Sequence, residues 1–193
     1  MNPQENADLL AALMRQEELL KQLIASINKP KLGLHSEAGN CKIYCNRHNG
    51  SLWYTLSNNE VTPIASTALT GYLRELKFEK CERRSKEVYK LLATIQADRT
   101  YILESGHDTH FTKSILAAMP AATRSGNATL TPQQLYSPIT LQPTPGTTDE
   151  NVLFCRVWVE SELVMASYNE ETNWREVSKQ ALAVTKAALE MTF

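Results

Sequence analysis

The chain has 193 residues, 42% hydrophobic and 21% charged, with a formal net charge of −1 and a pI near 6.4. That length fits one domain or one domain with appendages, and that balance fits a packed core rather than disorder. Near-neutral charge excludes a uniformly basic nucleic-acid coat but not a local basic face. The longest unbroken apolar stretch near the N-terminus, Leu9 to Met14, is too short for a membrane span, and no basic leader precedes it. Four scattered cysteines do not make a disulfide scaffold, so a reducing, cytoplasmic compartment is expected and a membrane partner is not.

Residues 1–30 form the first region. Leu9, Leu13, Gln16, Leu20, Leu23 and Ile27 recur at spacings of four and three, which predicts an amphipathic helix over 5–28, stopped by Asn28-Lys29-Pro30. Leu10 and Ile24 widen the stripe. Two readings stay open: a helix docked on its own domain, or a short coiled coil joining copies into a homo-oligomer. Three heptads are marginal alone, so the second reading needs further contacts.

Residues 31–66 change character. Cys41 to Cys45 and Leu52 to Leu56 are β-rich runs around Arg47-His48-Asn49-Gly50, a hairpin signal. Ser57-Asn58-Asn59 marks a second turn, and Val61 to Ala65 reads as a short strand that Pro63 confines to an edge.

Residues 67–160 carry the most organised pattern. Ala68 to Lys80 reads as a strand with a bend at Gly71, followed by a charged turn from Cys81 to Glu87. Val88 to Ala97 is a second strand, with Tyr89, Leu91, Ala93 and Ile95 alternating onto one face. Thr100 to Glu104 is a third. Asp108 or Thr109 caps a helix through about Met119. Pro120 to Ser137 is a polar loop. Ile139 to Gln142 and Val152 to Val159 complete five strands. In residues 161–193, Asn173 opens a last helix with Glu176 placed for a capping box, and Val177, Ala181, Val184 and Ala188 form its apolar face.

Three strands, a helix, then two strands is the order of an OB-fold barrel. With Leu69-Thr70-Gly71-Tyr72-Leu73 opening a long bent strand, Glu82-Arg83-Arg84-Ser85-Lys86 leading into Tyr89-Lys90-Leu91-Leu92, and the helix Phe111 to Met119 in the linking position, residues 67–160 resemble the OB-fold single-strand-binding class. About half the chain is covered. The resemblance implies a binding face on the second and third strands, rimmed by the first turn and the last loop. The chain departs from the bacterial single-strand-binding pattern by ending in a helix and Phe193 instead of an acidic tail.

Charge placement points the same way. From Arg74 to Arg99 there are eight Lys/Arg and five Asp/Glu, a balance of +3; from Thr147 onward four basic and eight acidic residues give −4. Phosphate tracking needs cations along one groove and base stacking needs aromatic faces beside them. Arg74, Lys77, Arg83, Arg84, Lys86, Lys90 and Arg99 are the expected phosphate contacts. Trp53, Tyr72, Tyr101 and Trp158 are the expected stacking residues, with Arg156 between Phe154 and Trp158 on one strand face. On the first strand Tyr72, Arg74 and Phe78 contribute if a bulge at Gly71 leaves some of them facing out. Mixed Lys/Glu runs are also ordinary solvated faces, and the last helix could cover Phe154 and Trp158.

No residue pattern names a reaction. Cys41, Cys45 and His48, with His35 or Cys81, are the nearest approach to a zinc set, but no second close pair completes it. His107-Asp108-Thr109-His110 reads as a helix N-terminus with exposed histidines; with Lys113 it could hold a strand phosphate. There is no Gly-rich phosphate loop and no nucleophile elbow. The expectation is therefore no enzyme, no metal and no cofactor. It is an α+β chain: an OB-like five-stranded barrel with a preceding β-hairpin, flanked by an N-terminal amphipathic helix and a C-terminal helix. Its expected function is non-catalytic binding of single-stranded nucleic acid, DNA before RNA, with weak sequence preference, as an oligomer. The alternative is a protein-interaction or assembly module whose terminal helices contact a protein partner.

Overall fold

The computed structural model of the chain describes residues 13–21, 40–83, 85–120, 129–164 and 167–190. The chain divides into two compact units, Met1–Ser36 and Glu37–Phe193. In the first, residues 13–21 are helical (α1), with Glu17 and Lys21 ion-paired at 2.8 Å. Leu13, Met14, Leu19 and Leu20 are exposed on it. Leu9, Leu10, Leu23, Ile24 and Ile27 of the predicted seam lie outside the described residues.

The second unit is α+β. Its strands are β1 (Cys41–Tyr44), β2 (Tyr54–Ser57), β3 (Glu60–Pro63), β4 (Leu69–Arg83), β5 (Lys86–Gln96), β6 (Thr100–Gly106), β7 (Ile139–Pro145), β8 (Leu153–Val159) and β9 (Glu162–Leu163). Helix α2 (His110–Ala118) lies between β6 and β7, a 3-10 turn spans Gln133–Tyr136, and α3 (Trp174–Glu190) closes the described chain. All nine strands form one mixed sheet in the order β3-β2-β1-β6-β5-β4-β7-β8-β9. Every pair is antiparallel except β1 with β6, which runs parallel from Cys41 opposite Tyr101 to Tyr44 opposite Glu104.

The expected closed five-stranded barrel is not what forms. The sheet is open. Closure would require β6 to pair with β8, and β1 instead occupies the β6 edge from Tyr101 to Glu104, while β9 takes Trp158 and Val159 of β8. A strand edge offers one row of backbone donors and acceptors, so β8 has no place on the part of β6 that β1 holds. The preceding hairpin is therefore part of the sheet that opens it. Its turn is as expected, with Asn49 and Gly50 at positive φ (47° and 84°) between His48 and Ser51.

Strand β4 organises the sheet because it changes partner. Leu69–Gly71 pairs with β7, and Tyr72 onward pairs with β5. Gly71 sits at that crossover: a Cβ there would lie 2.7 Å from both the Gln96 carbonyl oxygen and Ile95 Cγ2. The bulge expected at Gly71 falls instead between Leu73 and Glu75, where Arg74 is the extra residue. The expected turn at Cys81 to Glu87 is also shorter, because pairing continues to Arg83 opposite Lys86 and Ser85 takes a φ of 59°.

The inner face carries the core. Leu73, Leu76, Leu91, Ala93, Ile95, Leu103 and Ile43 are buried from one half of the sheet, Leu141, Leu153, Cys155, Val157 and Val159 from the other. Phe111, Ile115, Leu116 and Met119 bring α2 onto them. Thr109 caps α2, its side chain accepting from the Thr112 N–H at 3.2 Å. Asn173 does the same for α3 through the Glu176 N–H, also at 3.2 Å. Among the described residues, no helix is long and apolar enough to cross a membrane.

Candidate nucleic-acid interface

Residues directly opposite on neighbouring strands point to the same face. The pairing therefore sets out the face opposite the core, row by row. One row crosses five strands as Tyr54, Tyr44, Glu104, Leu92 and Lys77. The next reads Lys42, Ile102, Thr94 and Glu75, and on the other side lie Lys90 and Glu79. Beyond β4's change of partner the face continues through Tyr72 and Gln96, then Thr70, Thr140 and Trp158, then Gln142 and Arg156.

The bulge makes this face continuous. Tyr72 and Lys77 are five apart and would face opposite sides of a regular strand. The extra residue Arg74 resets the alternation, so both stand on the outer face while Leu73 and Leu76 both turn inward and are buried. Tyr72 is 40% exposed, and the Arg74 guanidinium carbon sits 5.4 Å from its ring centre.

At the β1 end, Tyr44 and Tyr54 stack with centroids 5.4 Å apart and planes at 14°. Lys42 Nζ lies 5.5 Å from the Tyr44 ring and 2.5 Å from Glu104. Lys90 reaches the other oxygen of the same carboxylate at 3.7 Å. Two cations thus share one acid. The hydrogen bond to Glu104 holds the Lys42 ammonium above its usual pKa, against partial desolvation. Lys77 is likewise raised, by its hydrogen bond to Glu75 at 2.8 Å. The Lys77–Glu75 pair is exposed and worth about 0–1 kcal/mol, whereas the Glu104 carboxylate that Lys42 and Lys90 share is mostly buried.

Several expected site residues do not reach this face. Trp53 is 1% exposed and its Nε1 donates to the Ser66 carbonyl at 2.7 Å, which leaves no ring face for a base. Tyr101 pairs opposite Ile95 and turns inward, with the Arg99 guanidinium carbon 5.2 Å from its ring. Burial raises the Tyr101 phenol pKa, and both residues line an inward recess of about 410 Å³ with Trp53, Ile43 and Leu69. Phe78 turns inward opposite Leu91, because the bulge falls at Arg74, between Tyr72 and Phe78, and puts the two on opposite faces. Lys86 is exposed at the tip of the β4–β5 hairpin, opposite Arg83. Arg84 lies outside the described residues. Arg156 is exposed on β8, and Trp158 is half-buried with its Nε1 donating to Gln142 Oε1 at 3.2 Å.

The remaining clusters engage their side chains in other contacts. Among the described residues, no three His, Cys, Asp or Glu side chains are placed to hold a metal. Cys45 is buried, Cys81 pairs opposite Val88 and lines one recess with Cys45, His48 packs on the Tyr54 ring at 5.4 Å, and His35 lies outside the described residues. At the start of α2, Asp108 binds Lys113 at 2.6 Å, and that hydrogen bond lowers its pKa. His107 meets the Tyr89 ring edge-on, and His110 packs on Phe154 at 4.8 Å with Nδ1 2.9 Å from the Tyr168 hydroxyl. The cations considered for a phosphate there already have partners.

No protein-family model, no curated protein and no solved structure matches this chain. Reading the sequence missed Lys42, Tyr44 and Tyr54. Their alternation against Ile43 and Cys45 was visible, but the parallel pairing of β1 with β6, which carries them onto the same face as Lys90, joins residues about sixty positions apart.

Proposed function

We propose that the chain binds single-stranded nucleic acid without catalysis, DNA in preference to RNA and with weak sequence preference, on the outer face of its sheet. The observation that carries this reading is the Tyr44–Tyr54 stack beside Lys42 and Lys90, two cations on one carboxylate. Paired aromatic rings offer a stacking platform to any base, and lysines that exchange Glu104 for phosphate follow the backbone. Tyr72 with Arg74, Lys77 and Arg156 extend the track along the same face. We place this activity in the cytoplasm and assign the α1 seam a role in bringing copies together, which raises avidity along one strand.

A second reading, a protein-interaction module with the sheet as scaffold, rests on the apolar residues exposed on α1: Leu13, Met14, Leu19 and Leu20. Salt separates the two. Fluorescence anisotropy of a labelled mixed-sequence single strand, at low and moderate salt with duplex competitor, is the test. Strand binding should saturate, prefer single strand to duplex, and weaken by roughly 0.7 log units per log salt for each phosphate engaged. No binding at tens of micromolar protein in low salt would sink the nucleic-acid reading and leave the assembly module.

A further inference from the structure

The second edge of β4 is open. β5 pairs with one edge from Tyr72 to Arg83, while β7 takes only Leu69–Gly71 of the other. Among the described residues, no strand pairs with that edge from Arg74 to Arg83. A groove of about 640 Å³ runs beside it, between β4 and α3, lined by Leu76, Phe78, Leu182 and Leu189 with Lys77 and Lys186 at its rim. At about 3.3 Å rise, 4.8 Å strand spacing and 10 Å layer depth, that volume holds about four residues of extended chain. An open edge of this kind templates strand addition.

We infer that this edge is where two copies of the chain pair, β4 against β4 across a two-fold axis. The argument is register. In an antiparallel pair about a two-fold, each residue i faces a fixed partner, and keeping both sheets the same way up requires the axis to fall on a residue. Centring on Phe78 lets residues 74–82 pair and sets Lys77 opposite Glu79 twice, Phe78 opposite itself, Leu76 opposite Lys80 and Glu75 opposite Cys81. No like charges meet. Centring on Lys77, Glu79 or Lys80 sets like charges face to face on the axis. Centring on Leu76 runs the pairing over residues 72–80, across the bulge at Arg74 that breaks the regular spacing of the edge, and centring on Cys81 leaves only residues 79–83 of the strand. The Phe78 register is thus the one that keeps opposite charges facing along most of the edge beyond the bulge. Lys77 exchanges Glu75 of its own strand for Glu79 of the second copy, a small cost for an exposed pair.

Sedimentation velocity and cross-linking test this. Every protein carries Leu13→Ser and Leu20→Ser, exposed changes on α1, so that the helical seam cannot hold copies together. In that background the chain should sediment as a dimer at tens of micromolar. Lys77→Glu and Glu79→Lys should each weaken the dimer about tenfold or more, because each sets like charges opposite at two places. The double variant should restore it, a rescue that damage to the fold would not give. Phe78→Cys, which faces itself, should form an intermolecular disulfide under mild oxidation, and Lys80→Cys, which faces Leu76, should not. A monomer in that background, or a Phe78→Cys chain that cross-links no better than Lys80→Cys, overturns the inference and leaves the edge to a different polypeptide.

Discussion

The two ends of the outer face carry the same kinds of residue and differ in how those residues are grouped. At the β8 end, Phe154, Arg156 and Trp158 alternate outward as the strand period requires. Yet Phe154 is held against His110, and Trp158 is tied to Gln142. At the β1 end, Tyr44 and Tyr54 pack on each other, His48 packs on Tyr54, Lys42 lies over Tyr44, and Lys42 and Lys90 share one carboxylate. Alternation assigns a side chain to a face, and neighbours decide whether it stays available. Behind each end lies a buried thiol, Cys45 under β1 and Cys155 under β8, so the ends share a core while differing at the surface.

The largest expected effect breaks the symmetry between the tryptophans. Trp53→Ala should cost about 3–5 kcal/mol, the range for emptying a large buried aromatic site. It should lower the melting temperature by about 10 °C for a chain of this size. Trp158→Ala should shift it far less. A Trp53→Ala chain that melts normally and loses strand binding would reverse the assignment.

Alkaline stability probes the shared core next. Burial raises the Cys45 and Cys155 pKa values well above that of an exposed thiol, with Cys155 adding to the rise at Cys45. A thiol held protonated in the folded chain contributes stability that is complete below its unfolded pKa and is lost as pH rises past it. Stability should therefore fall above about pH 9, by up to about 1.4 kcal/mol per pH unit for each thiol. Urea unfolding at several pH values measures the slope, and Cys155→Ala should reduce it. Native chains should also expose only Cys41 and Cys81 to a thiol reagent, since Cys45 and Cys155 are buried.

The binding comparison follows. Tyr44→Ala should weaken single-strand binding by about 1–3 kcal/mol, the value of one stacked base, read by anisotropy at fixed salt. Trp158→Ala should weaken it less, because the stacked ring pair and the two lysines that share Glu104 lie at the β1 end. Equal losses at both positions would mean that the β8 end is as open to a strand as the β1 end.

The smallest effect lies beside β8. Lys113 lowers the Asp108 pKa, so that pair contributes above the unfolded carboxylate value and is lost as pH falls through the folded one. Asp108 is mostly exposed. Asp108→Asn should therefore cost only a few tenths of a kcal/mol at neutral pH, within the range of surface pairs, by thermal melt.

Much of the second unit was legible in the residues. Apolar alternation located β5 and β8 and assigned their inner faces correctly for Leu91, Ala93, Ile95, Leu153, Cys155, Val157 and Val159. Asn49-Gly50 marked its turn, and Thr109 and Asn173 marked their helices, because caps and turns depend on neighbours a few residues away. The bulge was displaced from Gly71 to Arg74, and that displacement reassigned Phe78. A glycine marks a special backbone position without saying whether it bends the strand or admits a close neighbour. Here it admits Gln96 and Ile95.

The sequence by itself determined the approximate places of the strands from β4 to β8 and of helices α2 and α3, where most of them turn, and which side of β5 and β8 faces the core. Those follow from local periodicity and backbone preference, which act over a few residues. Only the tertiary structure decided that β1 takes the free edge of β6 and so keeps the sheet open. It also decided that Arg74 resets the face of β4, that Trp53 is core, and that Tyr44 and Tyr54 stand beside Lys90. Each is a pairing between distant segments competing for one strand edge or one side of a sheet, and local sequence does not record which competitor wins.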